Sequence, residues 1–445
     1  VYLDGNKIDG TSTAVKATNG SVYINTADSV KEDGTAVLKS LEAKNDITAK
    51  GKDLNIKEAV TAGNNIAIDA AGDVKLEGAV EATAGTITIT GDNSVTLDST
   101  VTAHNKAITI TGATIEAKDL IDSGAYAMDA NTTINGTNIS LNKVKGKNIN
   151  INGLNGNTST ATTLNLHNAV GSTSDTDAII IRAKTVNTDS TATIHSVNAI
   201  SFHDANVVNL NGIVSTKNIT TDESAVTTTF NINASVTAQA NMNLNNTGKT
   251  VINLNTAGIL KVNNTLSQSK ADLSLNGLGG VRTVKVGNIS VAGDLDVKSI
   301  NLQINGFNTM DGTATFAGAV TMDDASTLAF TGTNGKITLS GTSADTVSIS
   351  KLTGTNVTVA DATDVQKLKI KDVLLNDGGV LTLGADATIT NSVSTGTTTK
   401  GNVTLSNDAK MTLDYDGDWK EEIAGTGTFT INTNKKIDLA AGAKI

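Results

Sequence analysis

Apolar and polar residues alternate along this chain in short runs, and the runs recur. Between residues 58 and 119 they return about every 21 residues. Successive copies read EAVTAGNNIAIDAAGDVKLEG, AVEATAGTITITGDNSVTLDS and TVTAHNKAITITGATIEAKD. Val60, Val80 and Val101 occupy equivalent places, as do Ile66, Ile87 and Ile108, and then Val74 and Val95. Period-two alternation predicts strands, and the Gly, Asn or Asp between runs predicts turns. Each copy therefore holds three short strands. Such a strand cannot bury its apolar face alone, whereas stacked copies can. The expected fold is all-β, a parallel β-solenoid with two to three short strands per coil, forming an elongated rod. Roughly 21 coils at about 4.8 Å each would extend on the order of 100 Å.

Outside the clearest copies the pattern changes. Residues 1–46 read as an irregular N-terminal segment or cap, and 47–445 as one continuous solenoid. Within the first segment, 28–44 is the one stretch where a helical turn or two is expected. ITAKGKDLNIK, from Ile47, mimics VTAGNNIAIDA at a shortened offset, which suggests that one strand is missing there. Residues 122–130 read as a loop. From 230 to 286 the motif becomes N-x-N with apolar residues interleaved. Asparagines at stacked turn positions can hydrogen-bond to their own copies one coil away. The pairs Ile337/Leu339, Val347/Ile349, Val357/Val359 and Leu368/Ile370 fall about every ten residues, which suggests two strands per coil.

Composition supports stacked strands. The 445 residues include no proline, where average usage of about 5% would give roughly 22. Proline cannot donate to a ladder. There is no cysteine, which excludes disulfides and thiolate metal sites. No apolar run is long enough for a membrane helix and no set of girdled ten-residue strands occurs, so no membrane insertion is expected. The sequence opens at Val1 rather than methionine, which suggests a processed or excised product. The net charge of −10 opposes nucleic-acid binding, and aromatics are only 2%.

Candidate chemistry is sparse. DYDGDWKEE places Asp414, Asp416 and Asp418 in the alternation of a calcium loop, so calcium is a possible ligand. Trp419 stands where such a loop needs Gly, and Gly425 where it needs Glu. The competing reading is a tight Asp-Gly hairpin between MTLDY and WKEEI. Asp323–Asp324 is a weaker acidic pair. His104, His167, His195 and His203 show no zinc spacing, although His195 and His203 could meet across a turn. An enzyme of the β-helical, carbohydrate-active kind would need clustered carboxylates or a basic group in an aromatic-lined cleft. Here Arg182 and Arg282 are far apart, and Asp69, Asp73, Asp92 and Asp98 sit at turn signals. The GLGG at 277–280 reads as a turn. Outward Thr88, Thr90, Thr109 and Thr111 suggest an ice-binding lattice, but equivalent places carry Ala67, Asp69 and Lys75.

AGNNIAIDAAGDVKLEG, GNISVAGDLDVKSINLQINGF, ATFAGAVTMDDASTLAFTGTNGKITLSG and GTGTFTINTNKKIDLAAGAKI resemble repeats of secreted bacterial β-solenoids. The similar proteins are filamentous-haemagglutinin-like and autotransporter passengers, and surface-layer subunits share the Thr/Ala/Asn/Gly-rich, cysteine-free composition. The resemblance implies a non-enzymatic structural protein, extracellular or on the bacterial cell surface, acting in adhesion, a surface layer or a filament. A host-cell or other surface ligand is an expected partner. The alternatives are a carbohydrate-active enzyme and an ice- or surface-binding rod. Val1, Tyr2 and Leu3 read as a strand from the first residue, and Ile437, Leu439 and Ile445 lie in an uncapped last coil. These residues predict self-association, end to end or laterally.

Overall fold

The computed structural model describes the chain except residues 26–33, 125–126, 157–158, 310–311, 323–325, 343, 362–365, 397, 400, 407 and 440–443, and the side chains of 305–309 and 361. It is an all-β parallel β-solenoid of about 18 turns, with no helix among the described residues. Two compact units divide it, Val1–Asp222 and Glu223–Ile445.

In the first unit the sequence repeat becomes strand register. Val60, Val80 and Val101 are Cα partners in one column. Ile66, Ile87 and Ile108 form a second, and Val74 and Val95 belong to the third. These side chains are 0–1% exposed. Period-two alternation sends every second residue of each strand into the interior. Coil stacking then satisfies the backbone of the interior strands from both sides. Thr88 and Thr90 face outward between Ala67 and Asp69 on one side and Thr109 and Thr111 on the other.

Several expectations need correction. Residues 1–46 are not an irregular cap in their described part. Strand Tyr2–Leu3 pairs with Val22–Ile24, which pairs with Ile47–Gly51. Strand Lys7–Ala17 pairs with Thr35–Ala43. The latter replaces the helical turn expected over 28–44; residues 28–33 of that stretch lie outside the described residues. Nor is a strand missing after Ile47. Leu41 aligns with Val60, Ile47 with Ile66, and Leu54 with Val74, so that coil has three strands and is merely short. Its first strand lies in the segment that looked irregular.

In the second unit, the stretch expected to have two strands per coil has three faces. Val347 aligns with Leu368, Leu352 with Val373, and Val357 with Leu381. The continuous strand Thr346–Asp361 turns two corners without leaving the ladder, so its pairs look evenly spaced in sequence. Coils in the clearest repeat span 19–21 residues, while later ones range from 17, as between Ile134 and Ile151, to 30, as between Ile149 and Ile179. Longer corners account for about 18 turns where roughly 21 were expected.

Candidate functional site

Asp414, Asp416 and Asp418 are not drawn together. Their segment is a corner region between parallel strands, neither a calcium loop nor a hairpin. Lys410–Leu413 pairs with Thr428–Ile431, and Gly417–Trp419 with Ile437–Leu439, both parallel. Asp414 Oδ1 accepts from Asn432 Nδ2 at 2.8 Å. Asp416 Oδ1 accepts from the Lys436 backbone N–H at 2.8 Å. Asp418 lies 3.8 Å from Lys420 Nζ. Each carboxylate thus serves a separate partner. Among the described residues no group of three or more His, Cys, Asp or Glu could hold a metal ion. Beside this segment, burial and the Glu421 carboxylate push the Tyr415 hydroxyl above its usual pKa. Asp323 and Asp324 lie outside the described residues.

The residues expected to assemble lie on ladder edges. Tyr2 stacks on Tyr23 with centroids 4.7 Å apart and remains 71% exposed. The Val1 ammonium donates to Ser21 O at 2.8 Å. Leu3 aligns with Ile24. Ile437 and Leu439 align with Gly417 and Trp419, and Leu439 is 61% exposed. Ile445 is exposed beyond the isolated bridge between Glu422 and Lys444. Among the described residues, Tyr2–Leu3 and Ile437–Leu439 each pair on one side only.

Outer surfaces carry cross-coil polar ladders. Lys57 and Lys75 both bind Glu77, at 2.7 and 3.0 Å, and Lys118 binds Asp98 at 2.8 Å. The two lysine hydrogen bonds hold Glu77 below the ordinary carboxylate range, and the Asp98 hydrogen bond holds Lys118 above its own. The asparagine ladder is present: Asn253 donates to Asn231 and Asn276 to Asn253, at 2.9 and 3.0 Å. These residues stand within strands, facing outward, rather than at turns. A second ladder, which the sequence pattern did not suggest, runs through the first unit. Asn209 donates to Asn187 and Asn187 to Asn165, at 2.8 and 2.9 Å.

The histidines do not meet one another as expected. His195 aligns between Gly171 and Ser215, while His203 faces Asp222 at 3.5 Å. Gly171 has φ +76°, and a Cβ there would lie 2.1 Å from His195 O. His104 pairs with Glu81 at 2.9 Å, beside a corner depression of about 430 Å³ lined by Thr102, Asp122, Lys145, Asp175 and Thr176. Both carboxylates of that depression are engaged locally, Asp122 by the Gly124 N–H and Asp175 by Ser172.

His167 is different, because both ring nitrogens are used. Nδ1 lies 2.9 Å from Asp189 Oδ2 and Nε2 lies 2.9 Å from Ser140 Oγ. A carboxylate only accepts, so Nδ1 carries the proton, and Nε2 of the neutral ring accepts from the serine hydroxyl. The three residues come from consecutive coils of the first unit. The His167 N–H donates to Leu141 O, and the Asp189 N–H to Leu166 O, both at 2.9 Å. Thr191 Oγ1 donates to His167 O at 3.1 Å. Sequence reasoning missed this relay because the repeat loosens after Asp119. Aligning ISLN, LNLH and VNTD, ending at Asn142, His167 and Asp189, would have placed them together.

No protein-family model, curated protein or solved structure matches the chain.

Proposed function

We propose that this solenoid is a structural protein of the bacterial cell surface, serving in adhesion or as a subunit of a surface layer or filament. The observation that supports the reading is coil-on-coil register. The same apolar columns recur over successive coils, and outward rows of Thr, Asn and paired charges join each coil to the next. Such a stack makes a large, hydrated, regular surface from short strands. A host-cell or other surface ligand would meet those outward rows.

In this reading, copies would associate through the strands that pair on one side only among the described residues. A strand that pairs on one side only can accept a strand from a second copy. A head-to-tail contact of that kind does not close and builds a filament or an extended array. Deleting residues 436–445 should leave the coils folded and abolish ordered assembly, read by electron microscopy and light scattering. A monodisperse monomer at high concentration, or undiminished assembly after the deletion, would overturn this reading.

A further inference from the structure

We propose that Ser140, His167 and Asp189, with the side-chain amide of Asn165, form a site for hydrolysis of small acyl esters carried on a hydrated polymer such as an O-acetylated polysaccharide. The site goes beyond the structural reading and departs from the expectation of no enzymatic role. It stands or falls independently of assembly.

The geometry supplies three roles in order. Ser140 Oγ donates to His167 Nε2 at 2.9 Å, within reach for proton transfer from the nucleophile to its base. Asp189 Oδ2, 2.9 Å from Nδ1, fixes the ring and its tautomer and stabilises the imidazolium once formed. All three backbones are held by the parallel ladder or by bonds onto it, so the relay rests on rigid elements.

The fourth group comes from the asparagine ladder. Ser140 and Asn165 are Cα partners on adjacent strands. The ladder runs in one direction, each Nδ2 donating to the preceding coil: Asn209 to Asn187, then Asn187 to Asn165. Asn165 Oδ1 is thereby occupied. Its Nδ2 is left on the coil next to Ser140, with no partner among the described residues. A chain of amides polarises its terminal donor. That donor belongs to the residue aligned with the nucleophile on the adjacent strand and is assigned to the oxyanion.

The reaction balances without a co-reactant other than water. Ser140 Oγ attacks the ester carbonyl carbon as its proton passes to His167 Nε2. The tetrahedral oxyanion accepts from Asn165 Nδ2. Collapse breaks the bond to the alcohol oxygen, which takes the proton from Nε2, and leaves an acyl ester on Ser140. Water then attacks, giving its proton to Nε2. Release of the carboxylic acid returns that proton to Ser140.

The surroundings select the substrate class. The face carries Asn138, Asn142, Thr163, Thr185 and Asn187, small hydroxyl and amide side chains on neighbouring strands. His167 and Asp189 are 45% and 58% exposed. An open polar strand face suits a short acyl group on an extended hydrophilic chain.

The test uses the full chain with p-nitrophenyl acetate and an O-acetylated polysaccharide, alongside a fluorophosphonate label located by peptide mass mapping. Ser140→Ala and His167→Gln should each lower turnover about 100-fold or more. Asn165→Ala should lower kcat about 100-fold with KM unchanged. Asp189→Asn should lower the rate and move its pH profile, the signature of a positioning residue. The label should reside on Ser140 and be lost in His167→Gln. Equal rates in wild type and Ser140→Ala would mean that the exposed imidazole reacts alone, and would overturn the proposal. Absence of label on Ser140 would also overturn it, even if the alanine variant failed to fold.

Discussion

Thr132 stands where the column on either side of it carries isoleucine, Ile108 and Ile149. It is fully buried, with Oγ1 2.9 Å from Lys145 O and 3.0 Å from Ser123 Oγ. Ser123 in turn donates to Ala130 O at 3.0 Å. The Ala130 and Lys145 carbonyls need donors there, and an isoleucine has none. His203 shows the same contest between burial and polarity. It is half-buried, beside Asp222 and one coil from Arg182. Burial first, then the Arg182 charge, holds its imidazole below the usual pKa, against the opposing pull of Asp222 and Asp204. The unfolded chain therefore binds this proton more readily. The stability contribution is complete above about pH 6.5 and is lost as pH falls through the folded value. His203→Gln should flatten that loss in thermal melts taken across the acid range. Parallel losses in variant and wild type would assign the acid sensitivity to other groups.

Corners decide more than strands at the element scale. At 277–280 the chain turns through Gly279 and Gly280, with φ of +72° and +129°. The Arg282 guanidinium folds back to donate to Leu278 O and Gly279 O at 3.1 and 3.0 Å. This GLGG is a turn closed by its own arginine. The corners around Gly417–Trp419 are held differently, by Asp414 and Asp416 reaching residues of the adjacent coil. With the three carboxylates committed separately, millimolar calcium should leave the melting temperature unchanged. Asp416→Ala should lower it slightly, equally with calcium or chelator, because the Lys436 N–H loses its acceptor. A calcium-dependent rise that Asp416→Ala removes would show that the loop rearranges into a metal site.

At the scale of the whole molecule, a solenoid is a nearly one-dimensional system in which each coil contacts its neighbours. Damage should therefore stay local. Ile87 is fully buried between Ile66 and Ile108. Ile87→Asp leaves an unpaired charge between coils and should cost about 3–5 kcal/mol locally. Hydrogen exchange should accelerate in strands Ile66–Ala70, Ile87–Leu97 and Ile108–Asp122, while Ala199–His203 keeps its protection. A uniform loss over the whole unit would mean cooperative unfolding, and an unchanged pattern would place Ile87 outside the core.

The period of the apolar residues determined the fold class, because an inward column needs inward-facing, mostly apolar residues to recur at the coil spacing. The shared column of Val60, Val80 and Val101 is legible in the sequence alone. Local pattern failed where length varied. The coil from Leu41 was short enough to look broken, and the long strand Thr346–Asp361 hid its corners. Only the tertiary structure decided which outward residues meet. Asp414 and Asp416 are close in sequence, yet each is taken by a different residue of the next coil, while Asp418 lies near Lys420 of its own segment. Ser140, His167 and Asp189 are far apart in sequence and come within hydrogen-bond distance. In a parallel stack the nearest neighbours of an outward side chain lie one coil away. Corner length, which varies without changing the apolar alternation, decides which residue that is.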